Sequence, residues 1–312
     1  MPSSASEYRT DNSGVFLARE LEHIHDRVFE TAYADIKYPL VFPMNFDVSR
    51  GKESHTYRVF DTQGSMRLMG GDKVKDAPRA DVVRREVNMP IAGYMTSYGY
   101  TFQEVRAAQE VKSVNLEERR AGACRRVYEE TMQRVAYFGE PSRGMKGFFN
   151  NPDLDRIVPD KWFDTAGLTV DECLELLYEP ATRIVNNSNQ KEVPNTMLLP
   201  WNALRIASTM RIGVDSNMTV LSFFLANNMY ITDVEAINEL SWAKSGGFLT
   251  RDRVICYHRH PDKLEMHLPQ PLEFFDAIPQ TTQEWIIPAH ARHGGVAVYC
   301  PKSAIIMEKA TA

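Results

Sequence analysis

A cysteine and three histidines lie within twelve residues of each other, in the segment CYHRHPDKLEMH at residues 256–267. Thiolate and imidazole groups are side chains that zinc and similar metals bind. If 253–260 is a strand, side-chain alternation places Cys256, His258 and His260 on one face. The segment is then either the metal centre of an enzyme or part of a sheet in which the histidines are hydrogen-bonded and the cysteine is packed.

The spacing of these residues argues against a metal centre. Alternate residues of a flat strand are about 6.6 Å apart, whereas zinc requires ligand atoms at about 2.0–2.3 Å. Further ligands would have to come from His290 or His293, and no motif supports either. We therefore expect a polar sheet face with no metal or other cofactor. A soluble α+β metalloenzyme that uses Cys256, His258 and His260 is the alternative function.

The rest of the chain carries no recognisable catalytic pattern. It has no Gly-rich phosphate loop and no GxSxG or HExxH motif, so we expect that the protein is not an enzyme. Its four cysteines are scattered, which predicts reduced thiols. The formal net charge of −5 disfavours a protein whose main task is to bind nucleic acid. A polar N-terminus and the lack of a long apolar run predict a cytoplasmic chain without a membrane span.

The N-terminal third combines a helix with a long hairpin. Apolar residues at helical spacing predict an amphipathic helix at 15–35, after a polar arm. The stretches SHTYRVFD (54–61) and VVRREVNMPIAGYMTSYGY (82–100) alternate as strands do. The polar tip between them, of about 20 residues, is longer than a compact domain usually contains, which predicts a projecting functional loop.

Two capped helices follow the hairpin. The capping box Thr101–Glu104 predicts a short helix, and the capping box Asn115–Glu118 predicts a long one that ends at Gly139. The predicted apolar stripe of the long helix is Ala123, Val127, Thr131, Val135 and Phe138. Its other face carries Arg119, Arg120, Arg125 and Arg126. Those arginines indicate either a solvated face or a contact with a neighbouring subunit.

The sequence of the second half of the chain predicts helices packed on a sheet. A third capping box, Thr169–Glu172, opens a helix that Pro180 should kink or end. A buried strand and turn are predicted at 195–208, and a helix at 216–228. Several strands follow, so the sequence predicts an α+β class.

With these pieces in order, the chain resembles the major capsid proteins of tailed bacteriophages, which have the HK-ninety-seven-type coat fold. The stretch GKESHTYRVFDTQGSMRLM, followed by DAPRADVVRREVNMPIAGYMTSYGYTFQEVRAA, is similar to the extended hairpin loop that leads into the spine helix. The stretch GEPSRGMKGFFNNPDL is similar to the glycine-rich turn after that helix. The stretch HARHGGVAVYCPKSAIIM is similar to the C-terminal strand pair.

The resemblance implies an α+β coat fold with an N-terminal arm, an extended β-hairpin loop, a long spine helix and a mixed α/β axial domain. The implied domains are an arm and helix at 1–43, an extended loop at 44–95, a peripheral domain at 96–165 and 270–300 with the spine helix at 115–138, and an axial domain at 166–269 and 301–312.

The function implied by the resemblance is that of a major capsid protein. Copies would form the hexamers and pentamers of an icosahedral virion shell, assembled in the cytoplasm of a host bacterium. The shell would enclose double-stranded DNA without sequence-specific binding. A chain of 312 residues has no room for a large scaffolding segment, so a separate scaffolding protein is the expected partner, with a portal and, as a further option, decoration proteins. An encapsulin-like protein shell shares the fold and is a second alternative.

The basic residues of the hairpin and spine helix are the candidate assembly contacts: Arg58, Arg67, Lys73, Lys75, Arg79, Arg119, Arg120, Arg125 and Arg126. The candidate loop hinges are Gly64, Gly70 and Gly71, because glycine adopts backbone conformations that other residues avoid. Some relatives cross-link a loop lysine to an asparagine of the peripheral domain. The strand region 276–293 contains no asparagine, so we expect no cross-link from Lys73 or Lys75.

Overall fold

A computed structural model of the chain describes residues 35–66, 79–110, 116–213 and 215–310. All the elements below lie in one compact unit, Ile36–Ala312. Several sequence predictions fall outside the described residues. These are the arm and helix up to residue 34, the loop-tip residues Arg67, Gly70, Gly71, Lys73 and Lys75, and the helix-capping Asn115.

Helices and strands occur in mixed order along the described chain. The helices are α1 (Tyr38–Val41), α2 (Phe102–Glu110), α3 (Leu116–Phe138), α4 (Val170–Asn187), α5 (Trp201–Thr209) and α6 (Val220–Asn227). The strands are β1 (Met44–Asn45), β2 (Ser54–Gln63), β3 (Asp81–Pro90), β4 (Ala92–Thr101), β5 (Gly139–Glu140), β6 (Met145–Lys146), β7 (Asp155–Ile157), β8 (Thr196–Leu199), β9 (Asp233–Ala236), β10 (Arg253–Tyr257), β11 (Leu264–His267), β12 (Gln270–Phe274), β13 (Ile278–Thr281), β14 (Glu284–His293), β15 (Val296–Val298) and β16 (Ala304–Glu308).

The predicted long hairpin is confirmed. Strands β2 and β3 pair antiparallel without interruption from Ser54 opposite Pro90 to Gln63 opposite Asp81. The second predicted strand segment, however, is two strands that belong to different sheets. The paired strands end at Pro90, and one further backbone hydrogen bond joins the Ile91 N–H to the Glu53 carbonyl oxygen at 2.8 Å. Ile91 is buried, and β4 then pairs along its whole length with β14.

The long helix α3 is confirmed, but its buried face differs from the predicted one over the first part of the helix. Its 23 residues span about 34 Å. Ala123 and Val127 are exposed, so the predicted stripe is wrong at these two positions. The larger side chains Cys124, Tyr128 and Met132 are buried instead, one position further along the helix. Burying them removes more apolar surface from water than burying alanine and valine would.

The helix ends where the sequence predicts. Gly139 has a φ of 78°, a left-handed conformation that is strained for residues with a side chain. A Cβ atom at this position would also lie 2.2 Å from the carbonyl oxygen of Met145. Both the backbone conformation and the lack of space for a side chain therefore require glycine at this end of the helix.

A five-stranded sheet forms one centre of the fold, in the order β7-β16-β10-β8-β9. Helix α4 packs on it through residues such as Cys173, Leu177 and Ile184, in one apolar cluster with Cys256. Its predicted capping box at Thr169 and Glu172 is present.

Helix α4 continues past Pro180 to Asn187, which excludes the predicted end of the helix at this proline. The apolar face of the helix on the sheet stabilises the turns on both sides. A kink at Pro180, the other predicted outcome, stays a prediction. The predicted turn after β8 is a helix, α5, because Pro200 has a φ of −65° and occupies the N-cap position, where its missing N–H costs no helical hydrogen bond.

Apart from the β2–β3 hairpin and the short β5–β6 pair, the other described strands form two smaller sheets around α3. Strand β14 pairs with β12, β13 and β4, and its alternate residues Ile287, Ala289 and Ala291 are buried. Strand β11 pairs with β1 on one side and with β15 on the other. The apolar cluster between α3 and these sheets includes Tyr128, Met132 and Met266.

A buried ion pair joins the end of the five-stranded sheet to the loop after α3. Arg253 and Glu308 lie opposite each other on β10 and β16, with their side chains 8% and 10% exposed and Nη2 2.8 Å from Oε1. Arg253 Nη1 also donates to the Phe149 carbonyl oxygen at 2.6 Å, and Arg156 Nη1 donates to the same Glu308 oxygen. Burial lowers the pKa of Arg253, while Glu308 acts to raise it.

We predict that Glu308→Ala lowers the free energy of unfolding by about 3–5 kcal/mol, because it leaves the Arg253 charge buried without its partner. Urea unfolding of the unassembled chain, followed by circular dichroism, measures the change. The control is Asp164→Ala, which removes the exposed ion pair with Lys309 and should change stability by less than about 1 kcal/mol. Equal effects of the two substitutions would contradict this account of the buried pair.

Candidate functional site

The cysteine–histidine segment does not form the predicted strand face. Strand β10 ends at Tyr257, so only Cys256 of the three residues lies within it. Cys256 is fully buried between Met197 and Ile305 of the neighbouring strands, and this burial raises the pKa of its thiol far above the usual value. His258 and His260 belong to the connection after the strand, so the prediction that all three share one strand face is wrong.

The two histidines make separate polar contacts. His258 Nδ1 lies 3.8 Å from Glu192 Oε2, and burial lowers the pKa of this histidine although Glu192 acts to raise it. His260 is exposed, and its Nδ1 accepts a hydrogen bond from the Asp262 N–H at 3.3 Å. Within the described parts of the chain, no group of three or more His, Cys, Asp or Glu residues is arranged to hold a metal ion.

The segment instead supports the connection between β10 and β11. Glu192 is buried and accepts a hydrogen bond from Lys263 Nζ at 2.5 Å. The Cys300 thiol lies 3.6 Å from the same carboxylate oxygen. These contacts join the chain after α4, the 256–267 segment and the chain before β16. The segment therefore has a structural role in the sheet, and its remaining histidine, His267, belongs to a different cluster.

The hairpin exposes apolar side chains on both strands. Phe60 is 64% exposed and Val82 is 56% exposed, and Val83 is also exposed. An isolated two-stranded ribbon is marginally stable in water, and neighbouring structure is normally needed to stabilise it. The hairpin therefore presents a surface that another molecule can complete.

Several predicted contact and hinge residues lie on this hairpin. Arg58 Nε pairs with Glu86 across the two strands at 3.0 Å, and the ion contacts of Arg84 and Arg58 lower the pKa of Glu86. Arg79 is exposed at the described edge of the tip. A Cβ atom on Gly64 would lie 2.9 Å from Ala80 Cβ, so glycine is needed there for the close approach of the two chain segments. Its role as a hinge remains a prediction.

The arginines of α3 do not act as one surface. Arg120 points toward its own chain: Nη2 lies 2.7 Å from Glu104 Oε1, and Nη1 donates to the Gly99 carbonyl oxygen at 2.5 Å. Arg126 pairs with Glu130 one turn further along the same helix. The other two, Arg119 and Arg125, are exposed. Arg120 thus fixes α2 and β4 against α3.

This contact strongly perturbs Glu104. The hydrogen bond from Arg120, followed by one from the Thr101 backbone, lowers the pKa of Glu104 to about 2. Glu104 and Thr101 also form the predicted capping box at the start of α2. The carboxylate therefore remains ionised, and the contact remains intact, down to acidic pH.

Five aromatic side chains meet where the hairpin joins the rest of the unit. We call them the hairpin-base cluster: His55, Tyr57, His267, His293 and Tyr299. The rings of His55 and His267 are 4.3 Å apart, and Tyr57 packs edge-on against Tyr299 at 4.9 Å. The Tyr57 hydroxyl also donates to the Val298 carbonyl oxygen at 3.2 Å. Sequence reasoning missed this cluster, because its members come from distant parts of the chain and share no spacing.

None of the described helices is both long enough and apolar enough to cross a lipid bilayer.

Comparison with known proteins identifies similar folds. A family model described as "Major capsid protein" matches residues 67–309. The capsid of Myoviridae phage XM1 is similar, with a TM-score of 0.81 and 16% identity over 94% of this chain and 98% of that one. The capsid of a native GTA particle has a TM-score of 0.65 and 10% identity, over 98% and 100% of the two chains.

A virus-like particle from Pyrococcus furiosus is also similar, with a TM-score of 0.52 and 10% identity, over 87% of this chain and 92% of that one. No curated protein matches the sequence. The structural matches confirm the predicted fold class, and they cover nearly the whole chain.

We predict that Arg120→Ala raises the pKa of Glu104 from about 2 toward its ordinary value of 4.5, because the largest cause of the shift is removed. Carboxyl NMR titration of the unassembled chain measures this change. Arg126→Ala, on the same helix, is the matched control and should leave the Glu104 pKa unchanged. A Glu104 pKa that stays near 2 in Arg120→Ala would show that the Arg120 contact is not its cause.

Proposed function

The chain belongs to the major capsid protein family, and we propose that it is the coat subunit of a tailed bacteriophage, forming the hexamers and pentamers of an icosahedral shell around double-stranded DNA. Its role as a structural capsid component follows from the family. The capsomer types, the DNA content and the residues at the contacts are parts of the proposal.

The observation that carries the proposal is the uncovered hairpin. Among the described strands, β2 and β3 pair only with each other, and Phe60, Val82 and Val83 lie exposed on them. A second copy of the same chain is a suitable cover, because a shell places identical surfaces side by side. Many modest contacts of this kind combine into a stable closed object.

The domain assignment is likewise a proposal. We assign 1–43 to an arm, 44–95 to the extended loop, and 96–165 with 270–300 to a peripheral domain around α3. The axial domain would comprise 166–269 and 301–312, which contain most of the five-stranded sheet. Pairing of β11 with β15 joins the axial and peripheral domains within one subunit.

Assembly contacts in this proposal come from the basic residues that remain accessible. Arg79, Arg119 and Arg125 are exposed. Arg58 and Arg126 are already in ion pairs within the chain but can extend them to a neighbour. Arg120 is less suited, because Glu104 and Gly99 occupy it. Arg67, Lys73 and Lys75 complete the proposed set, and Gly64, Gly70 and Gly71 its loop hinges.

We propose that the shell has protein partners but no sequence-specific contact with its DNA. The net charge of −5 fits a shell that encloses DNA without binding a particular sequence. We expect a separate scaffolding protein, a portal and, as an option, decoration proteins, with assembly in the cytoplasm of the host bacterium. We propose no catalytic role, and the use of Cys256, His258 and His260 in packing and polar support agrees with that.

We predict that replacing residues 64–80 by Asn-Gly yields a folded subunit that does not form shells. Gln63 and Asp81 are opposite each other, so a two-residue turn of this type can close the hairpin without strain. Negative-stain electron microscopy of the soluble fraction, with the scaffolding protein co-expressed, measures assembly, and circular dichroism confirms folding.

In a control chain, a Gly/Ser linker of the original length replaces residues 64–80. This control keeps the length of the loop but removes its side chains, so it shows which of the two is needed for assembly. Intact shells from the Asn-Gly chain would refute the assembly role of the tip. Small particles from the wild-type chain under the same conditions would refute the coat function itself.

A further inference from the structure

The protons of the hairpin-base cluster can be assigned from its hydrogen bonds. The Tyr299 hydroxyl donates its one proton to Glu265 Oε2 at 3.0 Å. The Tyr299 oxygen is also 3.0 Å from His267 Nε2, so it must accept a hydrogen bond from that nitrogen. His267 therefore carries its proton on Nε2, and its Nδ1 is the atom that would take a second one.

The Nδ1 atom of His267 has no suitable surroundings for a proton. It is buried and has no hydrogen-bond partner among the described residues. The ring of His55, itself a base, lies 4.3 Å away from the His267 ring. Burial, followed by the effect of His55, lowers the pKa of His267 to about 4.

Another histidine of the cluster also has one ring nitrogen without a partner among the described residues. His293 is fully buried, its Nδ1 accepts a hydrogen bond from the Gly295 N–H at 2.6 Å, and its Nε2 has no partner among the described residues. Burial, followed by the effect of His267, lowers the pKa of His293 to about 3.

The titratable and charged groups that face the two histidines are His55 and Tyr57 of the hairpin, Asp47 after β1, Glu265 of β11, and Tyr299.

The cluster is also where the hairpin is attached. Further out, none of the described side chains from Arg58 to Gln63 or from Asp81 to Val87 is buried. His55 and Tyr57 of the hairpin cover His267 and Tyr299 of the body. Lifting the hairpin would therefore uncover the side of His267 that His55 now covers.

We propose that the hairpin-base cluster is an acid-sensitive hinge, in which protonation of His267 loosens the extended hairpin from the rest of the subunit. The hinge lies within a single chain and does not depend on shell assembly. It lies at the base of the hairpin, apart from the glycines near the hairpin tip.

The direction of the effect follows from proton linkage. His267 binds a second proton with a pKa of about 4 when the hairpin is seated, and with an ordinary value of about 6.5 when it is solvated. The seated form is therefore fully favoured above pH 6.5, and it loses this advantage as the pH falls from 6.5 toward 4. Between pH 7.5 and pH 5, the population of the lifted form should rise by up to roughly thirtyfold.

Amide hydrogen exchange of the full chain tests the hinge. Protection factors, corrected for intrinsic exchange at each pH, are measured by mass spectrometry for the peptides that cover β2 and β3. In wild type, hairpin protection should fall by up to roughly thirtyfold from pH 7.5 to pH 5, while β10 keeps its protection. His267→Gln cannot titrate and retains a side-chain amide near Tyr299, so its hairpin protection should change less than about threefold.

His290→Gln is the matched control, because His290 is on β14 but outside the cluster. It should behave as wild type does. Equal loss of hairpin protection in His267→Gln and wild type would overturn the proposal.

Wild type alone provides a second test, which does not depend on the folding of any variant. Its hairpin protection, plotted against pH, should fall between pH 6.5 and pH 4 with the slope expected for one proton. A flat profile over this range, or a fall that β10 shares, would also overturn the proposal.

Discussion

Strands β2 and β3 form a two-stranded ribbon with ten residue pairs, and no other strand in the described part of the chain pairs with either of them. Unpaired strand edges are normally protected in folded proteins. Two contacts can stabilise the ribbon: an anchor at its base, and the cover that we propose a neighbouring copy supplies. The rest of the subunit provides the anchor and holds the ribbon where a neighbouring copy can cover it.

The anchor depends on elements that are distant in sequence. His267 is held by β11, which pairs between β1 and β15, and Tyr299 follows directly after β15. These strands pack against α3 in one apolar cluster. The buried pair of Arg253 and Glu308 then fixes the loop after α3 to the five-stranded sheet. The hairpin is thus attached to this frame at its base, while none of the described side chains of its outer part is buried.

Local patterns in the sequence predicted much of this frame. Alternation identified the hairpin strands, and capping boxes located the starts of α2 and α4, because both signals depend on residues close in the chain. The buried face of α3 is predicted correctly near the end of the helix but not at Val127, since the choice between Val127 and Tyr128 depends on the shape of the sheet beneath. The hairpin-base cluster gave no signal at all, because His55 and His267 become neighbours only when the chain is folded. The Cys256 segment is the opposite case. Its cysteine and histidines are close in sequence and suggest a metal site, but the fold places their side chains in different surroundings.

The central claim is that a neighbouring copy covers the hairpin. Electron cryomicroscopy of shells assembled from the wild-type chain tests this most directly. The account predicts that β2 and β3 of each subunit lie against another copy, with Phe60, Val82 and Val83 buried at that contact. Shells in which the hairpin projects into solvent, with these side chains uncovered, would contradict it.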